Sequence, residues 1–284
     1  MSDLVVWANG RLRDPEEPLL SALDHGVTVG DGVFETCGIV RGQVVALSRH
    51  LERLTRSAVG LGLAEPDLDR IRGAIAEVLA AGGNLGRLRV TVTAGLGPLG
   101  SARLAGGQTV LVMAGPAAPP APVRAVRVPW VRNERSAVAG IKSTSYAENA
   151  VVLAWATAHG GDEALFANTV GELCEGTGTN VFVELGGELL TPPLSTGCLA
   201  GITRELVLEW SAQAGLPVRE GRPGELPYTV LGEVIAGRAS LVLTGSVRTI
   251  APVVALDGTP VAVGPLTERV QELYAEREES ELGV

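Results

Sequence analysis

The sequence predicts an α/β (α+β) fold in two domains, and three observations carry that prediction. Stretches such as RLRVTVTA at 87–94 alternate with the period of two that a half-buried strand requires. Others follow the 3.6-residue period of a helix, as over 49–62, where Leu51, Leu54, Ala58 and Leu61 share one face. Prolines 116, 119, 120 and 122 crowd one short segment, which cannot be helix or central strand and reads as a stiff linker over 115–122. The division is then a small N-terminal α/β domain over 1–114 and a larger C-terminal domain over 123–284, within reach of a chain of 284 residues.

The elements follow in order. LVVWA turns at Asn9-Gly10 into RLR as a hairpin, and VFETCGIV turns at Arg41-Gly42 into QVVAL as a second. Ser48 is the expected N-cap of the helix over 49–62, and Pro66 opens a second helix carrying Ile71, Ile75, Val78 and Leu79. Strands follow at 87–94 and 109–114. Beyond the linker come a strand near 123–131, a helix near 146–159, and the strands EALFAN and NVFVEL, the latter returned by Gly186-Gly187 into ELLTP. Helices near 203–214 and 230–236, strands SLVLT and APVVAL, and a terminal helix complete the chain, with EREESELGV read as a frayed end.

Composition narrows the function. A formal charge of -9 argues against nucleic acid or an anionic membrane as partner, since both need a basic surface. Cys37, Cys174 and Cys198 are widely spaced with no CxxC pair, which speaks against a disulfide framework or a metal site and for a reducing cytoplasm. The N-terminus has no signal-peptide pattern, and no run of about 18 apolar residues occurs, so a soluble protein is expected.

Of 23 basic side chains only one is lysine, Lys142. Either cation serves on a solvated surface, so a lone lysine among arginines points to a task guanidinium cannot perform, such as Schiff-base chemistry. Ala139, Gly140 and Ile141 lead into it, an apolar approach that disfavours the ammonium form. ELCEGTGTNVFVEL (172–185) sets an acid and small hydroxylated residues before a strand. LAGITRELVLEW places Ile202 and Thr203 at a helix start, where free amides attract anions. Thr244, Gly245 and Ser246 follow another strand directly.

In this order VGDGVFET (29–36), HLERL (50–54), GIKSTSYAEN (140–149), EGTGTNVF (175–182), LAGITRELV (199–207) and LTGSVRTIAPV (243–253) form a pattern. It resembles the class IV, fold-type IV pyridoxal-phosphate enzymes: branched-chain and D-amino acid aminotransferases, R-selective amine transaminases and aminodeoxychorismate lyase. The resemblance implies a C-terminal pseudo-barrel that binds pyridoxal 5'-phosphate. It implies that Lys142 forms the Schiff base and then moves the proton, and that Glu175 bonds the pyridine nitrogen. Arg53 is matched to the phosphate arginine, its bidentate fork suited to a dianion. Ile202, Thr203, Ser246 and Val247 are matched to further phosphate contacts, and Thr179 and Asn180 to the loop beside the ring. Tyr146 and Asn149 lie within reach of the ring oxygen by the same likeness. Glu35 matches an acidic position near the lysine.

The implied reaction passes an amino group from an amino donor to a 2-oxo acid by double displacement, in a homodimer. D-amino acids are the expected donors and aminodeoxychorismate lyase is the alternative activity, with branched-chain or R-amine transamination, or a catalytically silent protein of the same fold, as further alternatives. For the substrate carboxylate the pattern departs from its relatives. A basic residue is expected after the strand at 87–94, where this chain has Thr93-Ala94-Gly95, so Arg103 or Arg248 is left to substitute. Phe34 stands where D-amino acid enzymes commonly have tyrosine.

Overall fold

Asn9 and Gly10 both take positive φ, 52° and 104°, which bends β1 (Val5–Ala8) back onto β2 (Arg11–Arg13) in the predicted hairpin. A computed structural model describes residues 3–283, and the chain divides into two units. The first holds the chain up to Ala118, together with Ile141–Tyr146 and the tail from Ser280; the second holds Pro119–Gly140 and Ala147–Glu279. Both units are therefore discontinuous, and Lys142 folds with the first rather than with the 123–284 segment that its sequence position suggests.

In the first unit a short helix α1 (His25–Thr28) precedes β3 (Gly32–Val40) and β4 (Gln43–Val44). Helices α2 (Leu47–Gly60) and α3 (Leu68–Ala80) follow, then β5 (Arg87–Thr93) and β6 (Thr109–Gly115). The strands make one six-stranded sheet in the order β2-β1-β6-β5-β3-β4. Register divides its faces. Val33 pairs with Val92 and Cys37 with Leu88, and these side chains pack with Leu51, Leu54 and Ala58 of α2 and Ile71, Ile75 and Val78 of α3. Phe34 and Thr36 pair with Thr91 and Arg89 and lie on the opposite face.

Two helix starts differ from expectation. Ser48 is not the N-cap: α2 begins at Leu47 after Ala46, which takes φ 53°, and the Ser48 hydroxyl accepts from Arg72 Nη2 at 3.2 Å. The second helix begins at Leu68, capped by Asp67, whose carboxylate accepts from the Arg70 amide at 3.0 Å. The tail is not frayed among the described residues. Ala46 N donates to Glu281 O at 2.8 Å and Gly283 N to Val44 O at 3.1 Å, which docks the tail beside β4.

The second unit contains β7 (Val123–Arg132), α4 (Ala147–Ala158), β8 (Glu163–Asn168), β9 (Leu173–Gly176), β10 (Asn180–Leu185) and β11 (Glu188–Thr191). It continues with α5 (Ile202–Gln213), β12 (Val218–Glu220), α6 (Val230–Ile235), β13 (Ser240–Gly245), β14 (Thr249–Leu256), β15 (Thr259–Pro260) and α7 (Pro265–Arg277). The strand order is β12-β11-β10-β13-β14-β7-β8-β9, with β15 on β14. The edge strand β9 leads through the turn at 177–179 straight into β10, so the sheet curls back on itself as a half-barrel. Its interior takes alternate residues, Val181 and Val183, Leu241 and Leu243, Ala251 and Val253, and α6 contributes Val230, Leu231 and Val234 to the same core. Among the described residues no helix is long and apolar enough to cross a membrane.

Candidate active site

Lys142 is fixed by an edge-strand interaction. The Phe34 amide donates to its carbonyl at 2.9 Å and the Thr144 amide to Gly32 O at 2.8 Å, so residues 142–144 run alongside the start of β3. The hydroxyls of Thr144 and Ser145 both donate to Gly30 O, at 2.8 and 3.0 Å. The amine of Lys142 lies 4.5 Å from the centre of the Phe34 ring, and Tyr146 meets that ring edge-on at 5.1 Å. A second cation reaches Phe34: the guanidinium of Arg89, 3.7 Å from the ring centre. Arg89 is half-buried, its Nε donating to Thr91 Oγ1 at 3.2 Å, and burial holds its pKa below the ordinary arginine value.

Glu35 points to the other face of β3, the one covered by helices. His50 and Arg53, three residues apart on α2, both reach it. Arg53 donates from Nε to Oε1 at 2.8 Å and from Nη2 to Oε2 at 2.7 Å, and His50 Nδ1 lies 2.7 Å from Oε2. Glu35 is 0% and Arg53 5% exposed. Burial raises the proton affinity of Glu35, yet the charge and hydrogen bonds of Arg53, with those of His50, outweigh it and hold the carboxyl at about 2. His50 is shifted down, burial being the largest cause. The fork that the sequence assigned to a phosphate is thus occupied by Glu35.

Arg103 is equally committed. Its Nε and Nη2 donate to the two oxygens of Asp31, each at 2.6 Å, and Nη1 and Nη2 also donate to the carbonyls of Gly62 and Leu61 at 2.9 Å.

In the second unit Glu175 lies on β9. Its Oε2 accepts from the Leu199 amide at 2.9 Å, and Arg132 Nε stands 3.3 Å from Oε1. Arg132 also lies 4.3 Å from the centre of the Phe166 ring and donates to Glu148 and Asn149. Asn149 in turn donates to Thr177 O, so its side chain is engaged inside this loop. Glu163, buried on β8, braces the loop from beneath: Oε1 accepts from the amide and hydroxyl of Thr177, and Oε2 from the Thr179 hydroxyl at 3.2 Å.

Asn180 pairs with Thr244 across β10 and β13, and its amide donates to Leu199 O at 2.8 Å. A Cβ on Gly201 would stand 1.9 Å from Asn180 Oδ1, so the chain needs glycine to enter α5 here. Gly201, the N-cap of α5, offers no side chain to its first amides, Ile202 and Thr203 are buried there, and the buried Thr244 hydroxyl has no partner among the described residues. Ser246, Val247 and Arg248 form the turn closed by the Gly245–Thr249 pair, with Arg248 Nη2 donating to Asp162 O at 3.2 Å.

These groups fit pyridoxal phosphate by their chemistry: a primary amine for its aldehyde, a carboxylate for its ring nitrogen, uncapped helix amides and hydroxyls for its phosphate. Arg89, Arg132 and Glu163 were not singled out in the sequence. Glu163 carried a legible signal, a charge inside the apolar strand EALFAN; Arg89 carried another, facing the same side as Thr91 and Thr93 by simple alternation.

Residues 32–256 match the family model described as amino-transferase class IV. A putative branched-chain-amino-acid aminotransferase of Methanocaldococcus jannaschii is 31% identical over 280 residues, 95% of this chain and 94% of that protein. A bifunctional aminodeoxychorismate lyase / D-amino acid transaminase of Mycobacterium tuberculosis is 32% identical over 243 residues, 75% of this chain and 79% of that one. Among solved structures, a PLP-bound hypothetical aminotransferase from Mycobacterium tuberculosis superposes with a TM-score of 0.81 at 28% identity, covering 97% of this chain and 98% of that one. Class IV aminotransferases use pyridoxal phosphate, and the enzymes of this kind include both aminotransferases and aminodeoxychorismate lyases. The chain belongs to the class IV aminotransferase family and has the fold-type IV architecture.

Proposed function

We propose that the protein moves an amino group between an amino acid and a 2-oxo acid, with Lys142 as its catalytic residue and Arg89 holding a substrate carboxylate. The observation that carries this is the convergence of Lys142 and Arg89 on the Phe34 ring. No acidic side chain among the described residues is paired with Arg89. A half-buried cation without a counter-charge is costly, and a substrate carboxylate supplies one. Arg89 thus replaces Arg103 and Arg248, the candidates drawn from the sequence; Arg103 is spent on Asp31 and Arg248 on a carbonyl.

Bound pyridoxal phosphate supplies the carbonyl that takes up the amino group and a ring that absorbs the carbanion's electrons. Lys142 Nζ would take the proton from the amino donor's α-carbon and pass it to the cofactor, and in the second half-reaction would deliver a proton to the carbon that was the carbonyl of the 2-oxo acid. Arg53, the Ile202 and Thr203 amides, Ser246 and the Val247 amide bind the phosphate. Glu175 accepts from the ring nitrogen, oriented by Arg132 and the Leu199 amide. Thr179 and Asn180 shape the loop beside the ring, and Phe34 presents an apolar wall.

D-amino acids are the proposed donors, a reading supported by the name of the 32% identical relative. The same name supports the second reading, aminodeoxychorismate lyase. The working form is a cytoplasmic homodimer, a reading supported by three buried free thiols and by the exposed Val151 and Leu153 of α4 and Trp130 and Val131 of β7, two elements that meet through Trp155 and Trp130 at 6.0 Å. One panel tests the function: D- and L-amino acids with 2-oxoglutarate, beside aminodeoxychorismate with pyruvate detection. Transamination of D-amino acids is expected. Pyruvate and 4-aminobenzoate without transamination would replace the first reading with the second.

A further inference from the structure

We propose that Glu35 is the positioning residue of Arg53: its carboxylate, braced by His50, holds the guanidinium in the one orientation in which Arg53 grips a cofactor phosphate. The inference rests on the reading of Arg53 as a phosphate residue.

The geometry is specific. Nε and Nη2 form one edge of a planar guanidinium, and both meet Glu35, at 2.8 and 2.7 Å. Two parallel bonds along one edge fix both the plane and its rotation, which a single contact does not. The carboxylate is itself held, because His50 Nδ1 lies 2.7 Å from the same Oε2 that Arg53 Nη2 binds. All three side chains are buried on the helix-covered face of β3. Arg53 and His50 come from one face of α2, and Glu35 alternates with Phe34 along β3. One strand therefore serves two duties: even positions face Lys142 and Arg89, while Glu35 steers Arg53 from behind.

The charge balance fits the same role. A buried guanidinium without a partner is strongly disfavoured, and Glu35 supplies its counter-charge. What Arg53 then offers a phosphate is direction, an N–H aimed by the bond along its opposite edge. An ion pair that served stability alone would leave the choice between phosphorylated and unphosphorylated cofactor untouched.

The test compares binding of pyridoxal phosphate and of pyridoxal, which lacks the phosphate, to the full chain by absorbance titration. Arg53→Lys keeps the charge beside Glu35 and removes the fork; it is expected to weaken pyridoxal phosphate about tenfold and leave pyridoxal within about twofold. Glu35→Gln keeps the volume and removes the charge, and is expected to produce the same selective loss, about fivefold to tenfold. In the Arg53→Lys background Glu35→Gln is expected to add nothing, since its effect travels through the fork. If Glu35→Gln does not fold, Glu35→Asp, which keeps the charge and draws it back by one methylene, takes its place in the same comparison. Equal weakening of both ligands, no weakening of either, or a full additive loss in the double variant overturns the positioning role. If Arg53→Lys binds pyridoxal phosphate as the parent does, the reading of Arg53 falls first and the inference with it.

Discussion

Lys142 and Phe34 are bound twice, once through the backbone, where the Phe34 amide donates to the Lys142 carbonyl at 2.9 Å, and once through the ring, 4.5 Å from the lysine amine. The first contact sets where the segment 141–146 lies, and the second sets where the amine points. Arg89 reaches the same ring at 3.7 Å from the neighbouring strand. A primary amine and a half-buried guanidinium are thus referred to one aromatic side chain.

Arg89→Ala should raise the KM for amino acid and 2-oxo acid about tenfold to a hundredfold, the worth of a charge-assisted pair. Amine donors without a carboxylate should change little. Arg103→Ala should leave KM within about twofold and lower the melting temperature slightly, because its partner is Asp31 near the surface and such pairs contribute about 1 kcal/mol or less. Steady-state kinetics on the two variants check both statements. If KM rises in Arg103→Ala and not in Arg89→Ala, the carboxylate assignment is reversed.

Glu35 gives the stability of the protein an acid limb. Its ordinary value is 4.5 and the fold holds it at about 2. The folded state therefore binds this proton less readily than the unfolded chain. Its contribution is fully present above about pH 4.5 and is lost as pH falls toward 2. His50, shifted down by burial, adds a loss of the same sign that begins near its ordinary 6.5. Thermal midpoints measured from pH 7 down to pH 3 should fall more steeply for the parent than for Glu35→Gln. Parallel curves would mean that the pair does not titrate with folding.

Gly201→Ala should damage the entrance to α5. The added carbon would stand 1.9 Å from Asn180 Oδ1, and the displacement should cost about 1–3 kcal/mol, the usual penalty for overpacking. A melting curve measures it. The variant should also bind pyridoxal phosphate less tightly than the parent, with pyridoxal affected less. An unchanged melting temperature would show that Asn180 moves aside freely.

The three thiols should be silent in the folded protein. Burial is the leading cause of the upward shift at each: Cys37 is pushed well above its ordinary value, Cys174 is also raised, and Cys198 is raised to about 11. A chromogenic disulfide reagent at pH 8 should titrate almost none of them before a denaturant is added and all three afterwards. Rapid reaction of one thiol without denaturant would reveal an opening of that region.

Much of this was legible in the sequence, and the exceptions share a cause. Hairpins and long helices were readable because their signals are local: Asn9-Gly10 demands a primed turn, and Leu51, Leu54 and Ala58 show their period unaided. The placement of Lys142 with the first unit depends on hydrogen bonds to Gly32 and Phe34, more than a hundred positions away, which no local pattern encodes. The tail EREESELGV reads as polar and frayed, yet backbone bonds to Val44 and Ala46 anchor it without any apolar period. At the site, Lys142 stood out by composition. Arg89 did not, because alternation along 87–93 says which residues share a face and not which face meets the lysine. Arg53 showed its fork but not which partner each edge meets, since a fork suits a phosphate and a carboxylate equally, and here the Nε–Nη2 edge meets Glu35.

The most direct test of the account is reductive trapping. Borohydride treatment of the holoenzyme fixes the bond between cofactor and amine, and peptide mass spectrometry then locates it. Lys142 is the only lysine in the chain, so the N-terminal amine is the only competing address. The expected result is one added cofactor mass on the peptide containing Lys142, and none, with no turnover, in Lys142→Arg. An unmodified Lys142 peptide from an active preparation, or turnover by Lys142→Arg, would contradict the central claim.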